Sequence, residues 1–394
     1  MNFLPTKTPE GTRDWLFEEC RAHDRVRAML TGHFETHGYS GVITPTLEYY
    51  ELFSDSGLDE TSVYKLTGID NRLLALRPDN TTPIARLMAS RLRDRALPIR
   101  LHYSQNVFTV HSRYSGHSNE ISQSGVELIG PDGLLADLEV IHLALSALRL
   151  FEKSFTLELG HAGIFQAIAA GLNTDGETLE AIRLCIESKN LAALDELLDA
   201  LPPSAEVEAI RALPTLYGGG EVLTKAANLL GPCAGEVLDT LRQVYEAVHI
   251  LAKACGGRVN LDLGLVHRND YYTGTVFRGY IGGSGETALL GGRYNNLLSR
   301  FGRPLPATGF STYNSALIAL LLRTDNDHTV PVDTLVLAAP GYEAEALLEQ
   351  SRCVAAGERC IIDRLTDPAS QLAACGATKA RIVAEQIIER EAIL

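Results

Sequence analysis

The sequence of 394 residues contains no apolar run that could span a bilayer. Its longest runs, such as residues 317–322, cover only a fraction of the about 20 residues that a transmembrane helix needs. The N-terminus also lacks the cationic stretch and apolar core of a signal peptide. These absences predict a cytoplasmic protein with no role in a membrane.

Paired cysteines are absent as well. The sequence has seven cysteines, an odd number, and no two of them form a C-x-x-C pair. Zinc sites and disulfide frameworks have more regular cysteine spacing than this. We therefore expect reduced cysteines that serve as small apolar residues, and no metal or other cofactor. Their positions are Cys20, Cys185, Cys233, Cys255, Cys353, Cys360 and Cys375.

Positive charge is scarce, since 35 Lys and Arg stand against 49 Asp and Glu and the net charge is −14. Nucleic-acid binding usually depends on a basic patch that releases counterions from the phosphates. A local patch can exist within an acidic chain, but the overall balance argues against the binding of tRNA.

The rest of the sequence predicts a mixture of strands and helices. Apolar and polar residues alternate at 155–159, which is typical of a half-buried strand. Residues 17–37 and 314–322 are predicted helices, and Pro45 puts the predicted strand 41–47 at a sheet edge or an interface. Further strands are predicted at residues 73–77, 101–108, 121–129, 258–263, 272–281 and 287–290.

Two other regions differ in character from these strands. Residues 170–256 are rich in Ala, Leu and Glu, and their apolar residues recur at spacings of three and four, which predicts a helical insertion. After a polar linker at residues 324–332, short strands alternate with helices in residues 333–394. This alternation predicts a small α/β domain with a mostly parallel sheet.

Five short segments carry the most specific signal. They are EGTRD at residues 10–14, LRPDNT at 76–81, QSGVE at 123–127, DYYTG at 270–274 and GGRY at 291–294. Their order and spacing resemble those of class II histidyl-tRNA synthetases over about residues 8–322. The resemblance implies an α+β fold in which residues 1–323 form an antiparallel sheet flanked by helices, with residues 170–256 inserted. Residues 333–394 resemble a shortened anticodon-binding domain.

The residues of these segments suit a free amino acid with an aromatic side chain. An α-ammonium group needs anionic acceptors, because a buried cation without a partner is costly. Tyrosines offer flat surfaces and hydroxyl groups to an imidazole. By the resemblance, the histidine-binding residues are Asp79, Thr81, Gln123, Glu127, Tyr271, Tyr272 and Tyr294. The alternative is that these polar groups are only structural.

The ATP chemistry of a synthetase is missing. Amino-acid activation needs fixed cations that stabilise the charge developing on the α-phosphate. The synthetases use three arginines for this, and the matching positions here are Thr109, His267 and Ala316. A shift of one residue could return Arg113 or Arg268 to a phosphate site, but no such substitute exists near Ala316. Since losing one such group typically costs about 10²–10³ in rate, we predict a protein without catalytic residues.

A histidine pocket without ATP chemistry is typical of a sensor. This combination resembles the family of regulatory subunits of the short-form ATP phosphoribosyltransferase. The resemblance implies a dimer formed around Pro45, a separate short catalytic subunit as partner, and free histidine as an effector that inhibits the first step of histidine biosynthesis by feedback. The alternatives are a divergent histidyl-tRNA synthetase and a synthetase-like enzyme that modifies another substrate.

Overall fold

A computed structural model describes residues 6–54, 60–111, 118–230, 234–266, 271–282, 285–324 and 332–391 of the chain. The chain divides into two compact units, Met1–Thr324 and Asp325–Leu394. Among the described residues, no helix has the length and apolar character needed to cross a membrane.

The first unit contains a long sheet, helices and a smaller sheet. Its described α-helices are α1 (Phe17–Thr36), α2 (Thr81–Ala89), α3 (Leu134–Phe151), α4 (Ala162–Ala169), α5 (Gly176–Glu187), α6 (Leu191–Asp199), α7 (Ala205–Ala212), α8 (Glu221–Leu230), α9 (Gly235–Cys255) and α10 (Asn314–Thr324). Its described strands are β1 (Ser40–Gly41), β2 (Leu47–Tyr49), β3 (Lys65–Thr67), β4 (Leu73–Leu76), β5 (Ile99–Phe108), β6 (Glu120–Ile129), β7 (Phe155–His161), β8 (Tyr217–Gly218), β9 (Arg258–Asp262), β10 (Thr275–Ile281), β11 (Thr287–Arg293) and β12 (Ala307–Tyr313).

The long sheet has the strand order β1-β5-β6-β12-β11-β10-β7-β9-β8. Its five central strands, β5, β6, β12, β11 and β10, are all paired antiparallel, and parallel pairs occur between β1 and β5 and between β7 and β9. The predicted α+β fold, with an antiparallel sheet flanked by helices, is therefore confirmed in its central strands. The smaller sheet, β2-β4-β3, is antiparallel throughout.

The two faces of the long sheet differ because side chains alternate along each strand. On one face, Val126, Leu128 and Phe277 join a core made with α1, α3 and α10. Helix α1 contributes an apolar stripe at four-residue spacing, as an amphipathic helix should. On the other face, Leu101 and Val276 belong to a separate cluster that contains several tyrosines. This second face carries the candidate site.

The helices α5 to α9 lie in the region that the sequence assigns to an insertion. In α9 the residues Leu241, Val244 and Val248 are buried, as the predicted stripe requires. In α5, Ile182 and Ile186 are buried in the same core. These stripes are therefore internal packing surfaces.

The predicted strand at residues 41–47 is wrong. Strand β1 ends at Gly41 and β2 begins at Leu47, so Pro45 lies in the connection between them. At Thr44 the backbone bonds to side chains instead of to a neighbouring strand. The carbonyl oxygen of Thr44 accepts hydrogen bonds from Arg77 Nη1 at 2.8 Å and Gln105 Nε2 at 2.9 Å. Periodicity along the chain cannot reveal such side-chain partners.

The second unit is a small α/β layer. It contains β13 (Thr334–Ala338), α11 (Glu343–Ala355), β14 (Cys360–Arg364), α12 (Pro368–Cys375), β15 (Lys379–Val383) and β16 (Ile387–Glu391). The strand order is β14-β13-β15-β16, with the first three parallel and β16 antiparallel. The predicted small α/β domain is confirmed, although the sequence did not indicate β16.

Candidate functional site

A cavity of about 1120 Å³ lies over the second face of the long sheet, in the first unit. It is bounded by strands β5, β6, β10, β11 and β12 and by the start of α2. Nine of the predicted site residues line it, namely Asp79, Thr81, Thr109, Gln123, Glu127, Tyr271, Tyr272, Tyr294 and Ala316. The remaining predicted position, His267, lies outside the described residues. The described residues that the family resemblance indicated thus share one cavity.

Two glycines lie beside Glu127 and Tyr272 because a larger residue would not fit there. A Cβ atom on Gly309 would lie 2.0 Å from Oε2 of Glu127, and one on Gly292 would lie 2.9 Å from the ring of Tyr272. Gly292, Gly309 and Glu127 are register neighbours across β11, β12 and β6. Missing side chains on two strands therefore make room for the carboxylate and the ring.

Glu127 is the most buried acid of the cavity, with only 1% of its surface exposed. Its carboxylate accepts a hydrogen bond from Thr81 Oγ1 at 2.8 Å and another from the hydroxyl of Tyr294. Burial raises the pKa of Glu127 to about 8, although both hydrogen bonds lower it. The carboxyl group is therefore poised to exchange a proton near neutral pH when a cation approaches.

A second acid, Asp79, lies at the start of α2. Its carboxylate accepts hydrogen bonds from the backbone N–H of Thr82 at 2.6 Å and from the Thr82 hydroxyl at 3.0 Å, which fixes the first turn of the helix. Burial raises the pKa of Asp79, and its charge contributes to the raised pKa of Glu127. Among the described residues, no lysine or arginine forms an ion pair with either acid.

Two amides extend this polar end of the cavity. Asn80 Nδ2 donates to Gln123 Oε1 at 3.4 Å. The Oδ1 atom of Asn80 is buried and has no hydrogen-bond partner among the described residues, which is costly unless a ligand donates to it. Asn80 thus belongs to the site, although the sequence analysis did not select it.

Tyrosines form the apolar wall. The rings of Tyr271 and Tyr272 have centroids 4.8 Å apart, and Tyr271 meets Tyr294 edge-on at 5.7 Å. Tyr103 on β5 also lines the cavity and was missed by the sequence analysis. Burial raises the pKa of Tyr103, Tyr272 and Tyr294, so their hydroxyls stay neutral and can donate hydrogen bonds.

The opposite end of the cavity contains Thr109 and Ala316. Ala316 is buried on α10, whose first residue, Asn314, bonds to Thr312 Oγ1 at 2.8 Å and to Ser122 Oγ at 3.1 Å. This network fixes the start of the helix. Position 316, in its first turn, has no charge because the residue there is alanine. Tyr313, at the end of β12, fills part of the same region.

The lysine and arginine side chains among the described lining residues are those of Arg13 and Arg278. Arg13 pairs with Glu19 at 3.2 Å and stacks on Trp15 at 3.7 Å from the ring centroid. Arg278 lies on β10. The alternation of β10 could have indicated Arg278, since Val276 and Arg278 share a face, but only the register shows that this face borders the cavity.

Comparison with known proteins gives one family model and many relatives. The model for histidyl-tRNA synthetase matches residues 11–317. An ATP phosphoribosyltransferase regulatory subunit from Clostridium kluyveri is 41% identical over 325 residues, which is 81% of this chain and 83% of that protein. One from Clostridium acetobutylicum is 34% identical over 371 residues, or 92% of this chain and 86% of that protein.

Solved structures agree with these matches. A crystal structure described as an ATP phosphoribosyltransferase regulatory subunit/histidyl-tRNA synthetase from Bacillus halodurans superposes with a TM-score of 0.83 at 31% identity, covering 97% of this chain and 100% of that one. A histidyl-tRNA synthetase from Nostoc has a TM-score of 0.73 over 99% of this chain and 97% of that one. At 19% identity, the latter shows a common fold alone.

Proposed function

This chain belongs to the family of ATP phosphoribosyltransferase regulatory subunits, within the histidyl-tRNA synthetase fold, and we propose that it binds free histidine and makes a separate catalytic subunit sensitive to it. As a regulatory subunit it is non-catalytic and belongs to histidine biosynthesis. In the proposed arrangement, the short catalytic subunit carries out phosphoribosyl transfer, and histidine in the cavity of the regulatory subunit inhibits it.

One observation carries the proposal, namely that Asp79 and Glu127 face the same cavity and have no cation partner among the described residues. Burial raises the pKa of both acids, and repulsion from the charge of Asp79 raises the pKa of Glu127 further. An ammonium group between them would relieve that repulsion and receive charge-assisted hydrogen bonds. The unpaired Oδ1 of Asn80 offers a further acceptor for the same group.

The aromatic wall supports histidine over an aliphatic amino acid. Tyr272 and Tyr294 are held by packing and hydrogen bonds, so they present fixed surfaces and neutral hydroxyls. A planar imidazole can stack on such rings and accept or donate a hydrogen bond at either nitrogen. An aliphatic side chain of the same size offers these rings neither a planar face nor a nitrogen that can form a hydrogen bond.

Amino-acid activation is not part of this proposal. Thr109 and Ala316 put no cation at the end of the cavity where a synthetase would stabilise the α-phosphate. We expect no histidine-dependent exchange of pyrophosphate into ATP by the purified protein. Exchange at the rate of an ordinary synthetase would favour the divergent histidyl-tRNA synthetase instead.

We also propose that the chain forms a dimer through the segment around Pro45. Apolar residues are exposed there and on the adjacent small sheet, including Ile43, Leu47, Leu66 and Ile69. A group of exposed apolar side chains of this kind is typical of a protein interface. Light scattering should give a dimer for the wild type and a monomer for Leu47→Glu. The acidic net charge agrees with a partner other than tRNA.

The direct test of the proposed site is to measure histidine binding by calorimetry and by tryptophan fluorescence. Trp15 is the single tryptophan of the chain, and it lines the cavity. Glu127→Gln removes the negative charge and keeps the shape. Loss of a charge-assisted hydrogen bond should weaken binding by about tenfold to a hundredfold. Glu120→Gln is the matched control, because Glu120 lines the same cavity but bonds to Asn106. Equal affinity for Glu127→Gln and wild type would put the histidine site elsewhere.

A further inference from the structure

Arg278 lies on the face of β10 that borders the cavity. Side chains alternate along a strand, and Phe277 belongs to the core on the helical side, while Val276 belongs to the cluster on the cavity side. Arg278 shares the face of Val276 and lines the cavity. Its Cα partner on β11 is Leu290, followed by Ser311 on β12. Leu290 and Ser311 also line the cavity, so this row of the sheet borders it from β10 to β12.

The charge of Arg278 has no carboxylate partner within ion-pair distance among the described residues. Its neighbour Glu158 on β7 instead accepts a hydrogen bond from the hydroxyl of Tyr280 at 3.0 Å, and Arg278 bonds to that same tyrosine. The other cavity arginine, Arg13, is paired with Glu19. Of the two arginines among the described lining residues, Arg278 is therefore the one without a carboxylate partner.

A free amino acid has two charged ends, and the polar end of the cavity accounts for only one of them. Asp79 and Glu127 suit the ammonium group, but the α-carboxylate also needs a partner when it leaves water. The strands of Glu127 and Arg278 are three spacings apart, and Arg278 is in register with Gly125, two residues from Glu127. At about 4.8 Å per strand and about 3.3 Å per residue, the Cα atoms of Glu127 and Arg278 lie about 16 Å apart. A small amino acid fits between a glutamate and an extended arginine at that separation.

We propose that Arg278 binds the α-carboxylate of the amino-acid effector, so that the cavity selects free amino acids over derivatives with a reduced or amidated carboxyl group. The inference rests on the proposed histidine site and adds a residue that determines its specificity. A guanidinium group suits this role because it can bind both oxygens of a carboxylate at once.

The test compares two ligands on two proteins. L-Histidinol has the ammonium and imidazole groups of histidine but carries a hydroxymethyl group in place of the carboxylate. Wild-type protein should bind histidine about tenfold to a hundredfold more tightly than histidinol, the usual effect of a charge-assisted hydrogen bond. In Arg278→Gln the two ligands should bind about equally, because histidine affinity falls while histidinol affinity changes little. Arg13→Gln is the control and should keep the wild-type preference.

The possible outcomes distinguish the role of Arg278 from the proposed histidine binding on which it rests. Equal binding of histidine and histidinol by the wild type, or an unchanged preference in Arg278→Gln, would overturn the role of Arg278 while leaving the histidine site intact. Absence of binding of either ligand by the wild type would instead remove the proposed function itself. Thermal melting shows whether Arg278→Gln folds. If it does not, Arg278→Lys is the second variant. It keeps the charge but cannot bind both carboxylate oxygens at once, so it should retain only part of the preference for histidine over histidinol.

Discussion

The hydroxyl of Tyr294 donates a hydrogen bond to Oε2 of Glu127, although 167 residues separate the two along the chain. Tyr294 follows β11 and Glu127 lies on β6, so the bond crosses the intervening strand β12. It passes over Gly309, where a Cβ atom would occupy the position of the carboxylate. Segments around β6, β11 and β12 thus meet at one acid, although they are far apart in the sequence.

Tyr294→Phe should weaken histidine binding and move its pH dependence. The hydroxyl lowers the pKa of Glu127, so its removal should raise that pKa above about 8 and make the carboxylate harder to form. We expect about a tenfold loss of affinity at neutral pH, recovered in part at higher pH. Tyr39→Phe is the control, because its hydroxyl also donates to a glutamate, Glu139, at 3.0 Å but away from the cavity. An equal effect of both changes would contradict the prediction.

Gly309→Ala should abolish histidine binding. The added methyl group would lie 2.0 Å from Glu127 Oε2, which forces the carboxylate away from Thr81 and Tyr294. Gly32→Ala is a suitable comparison, since Gly32 lies in α1 with nothing within 4 Å of the new atom. Alanine in a helix should raise stability there by about 0.5–1 kcal/mol. Calorimetry and thermal melting of both variants test this, and normal binding by Gly309→Ala would refute the assigned geometry.

The acid stability of the protein should depend on His33. This residue lies on α1, with Nε2 2.8 Å from Oγ of Ser146 on α3. Burial lowers its pKa to about 4, and the nearby His37 and His142 lower it further. Below about pH 6.5 the imidazole of His33 binds a proton in the unfolded chain, whereas in the folded protein it stays neutral down to about pH 4. The free energy of unfolding therefore decreases as the pH falls from 6.5 towards 4. The melting temperature of His33→Gln should fall less over this interval, whereas the exposed His249→Gln should behave as the wild type.

The residues of the site were predictable in part because they are defined by motif and by alternation. Gln123 and Glu127 lie on one face of β6, as their even spacing predicts, and both line the cavity. Tyr103 and Arg278 were not predicted, since their presence depends on how β5 and β10 pair with other strands. Register of this kind is set by contacts between distant segments, and alternation within one strand does not reveal it.

The fold was likewise predictable from the sequence only in part. Strands with alternating residues, such as β7, were predicted nearly to their ends. Helix α3 was missed because 13 of its 18 residues are apolar, so it lacks the continuous polar face that makes a helix recognisable. Strand β12 was missed as well, since its sequence, ATGFSTY, is mostly small and polar residues that line a cavity. Residues that serve the site therefore weaken the sequence signal of the element that carries them.

Histidine binding should release a proton from Glu127. Burial raises the pKa of this group to about 8, so at pH 7 most molecules hold a proton there. An incoming ammonium group favours the ionised carboxylate and lowers that pKa, and the affinity should therefore increase as the pH rises from 7 to 8. It should increase no further once the free carboxyl group is already ionised.

Calorimetry in two buffers with different ionisation enthalpies measures the release. Close to one proton per site is expected at pH 7, falling to about half a proton at pH 8, where the free carboxyl group is half ionised. Glu127→Gln has no proton to lose at this position, so its binding enthalpy should be the same in both buffers. Release of an unchanged amount by Glu127→Gln would mean that another group, such as Asp79, is the one that titrates.

In the complex with the short catalytic subunit, inhibition by histidine requires coupling between two sites. Histidine can inhibit a remote active site only if it binds two states of the complex with different affinities, and the coupling must be reciprocal. Histidine affinity should therefore change when the catalytic subunit holds its substrate. A coupling of about 1–3 kcal/mol is typical, which corresponds to about fivefold to 150-fold in affinity.

Tyr272→Ala should blunt this inhibition without preventing assembly. The ring of Tyr272 lies against Gly292 on the floor of the cavity, whereas the proposed dimer surface lies around Pro45. Removal of the ring takes away one wall of the imidazole site, and Tyr272→Phe, which loses only the hydroxyl, should have a smaller effect. Steady-state rates of the reconstituted complex over a range of histidine concentrations measure both. If Tyr272→Ala is inhibited as strongly as the wild type, or if the catalytic subunit alone is equally sensitive, this chain is not the sensor. It would then serve as an activator or an assembly scaffold, and its cavity would be inherited from a synthetase without a role in feedback.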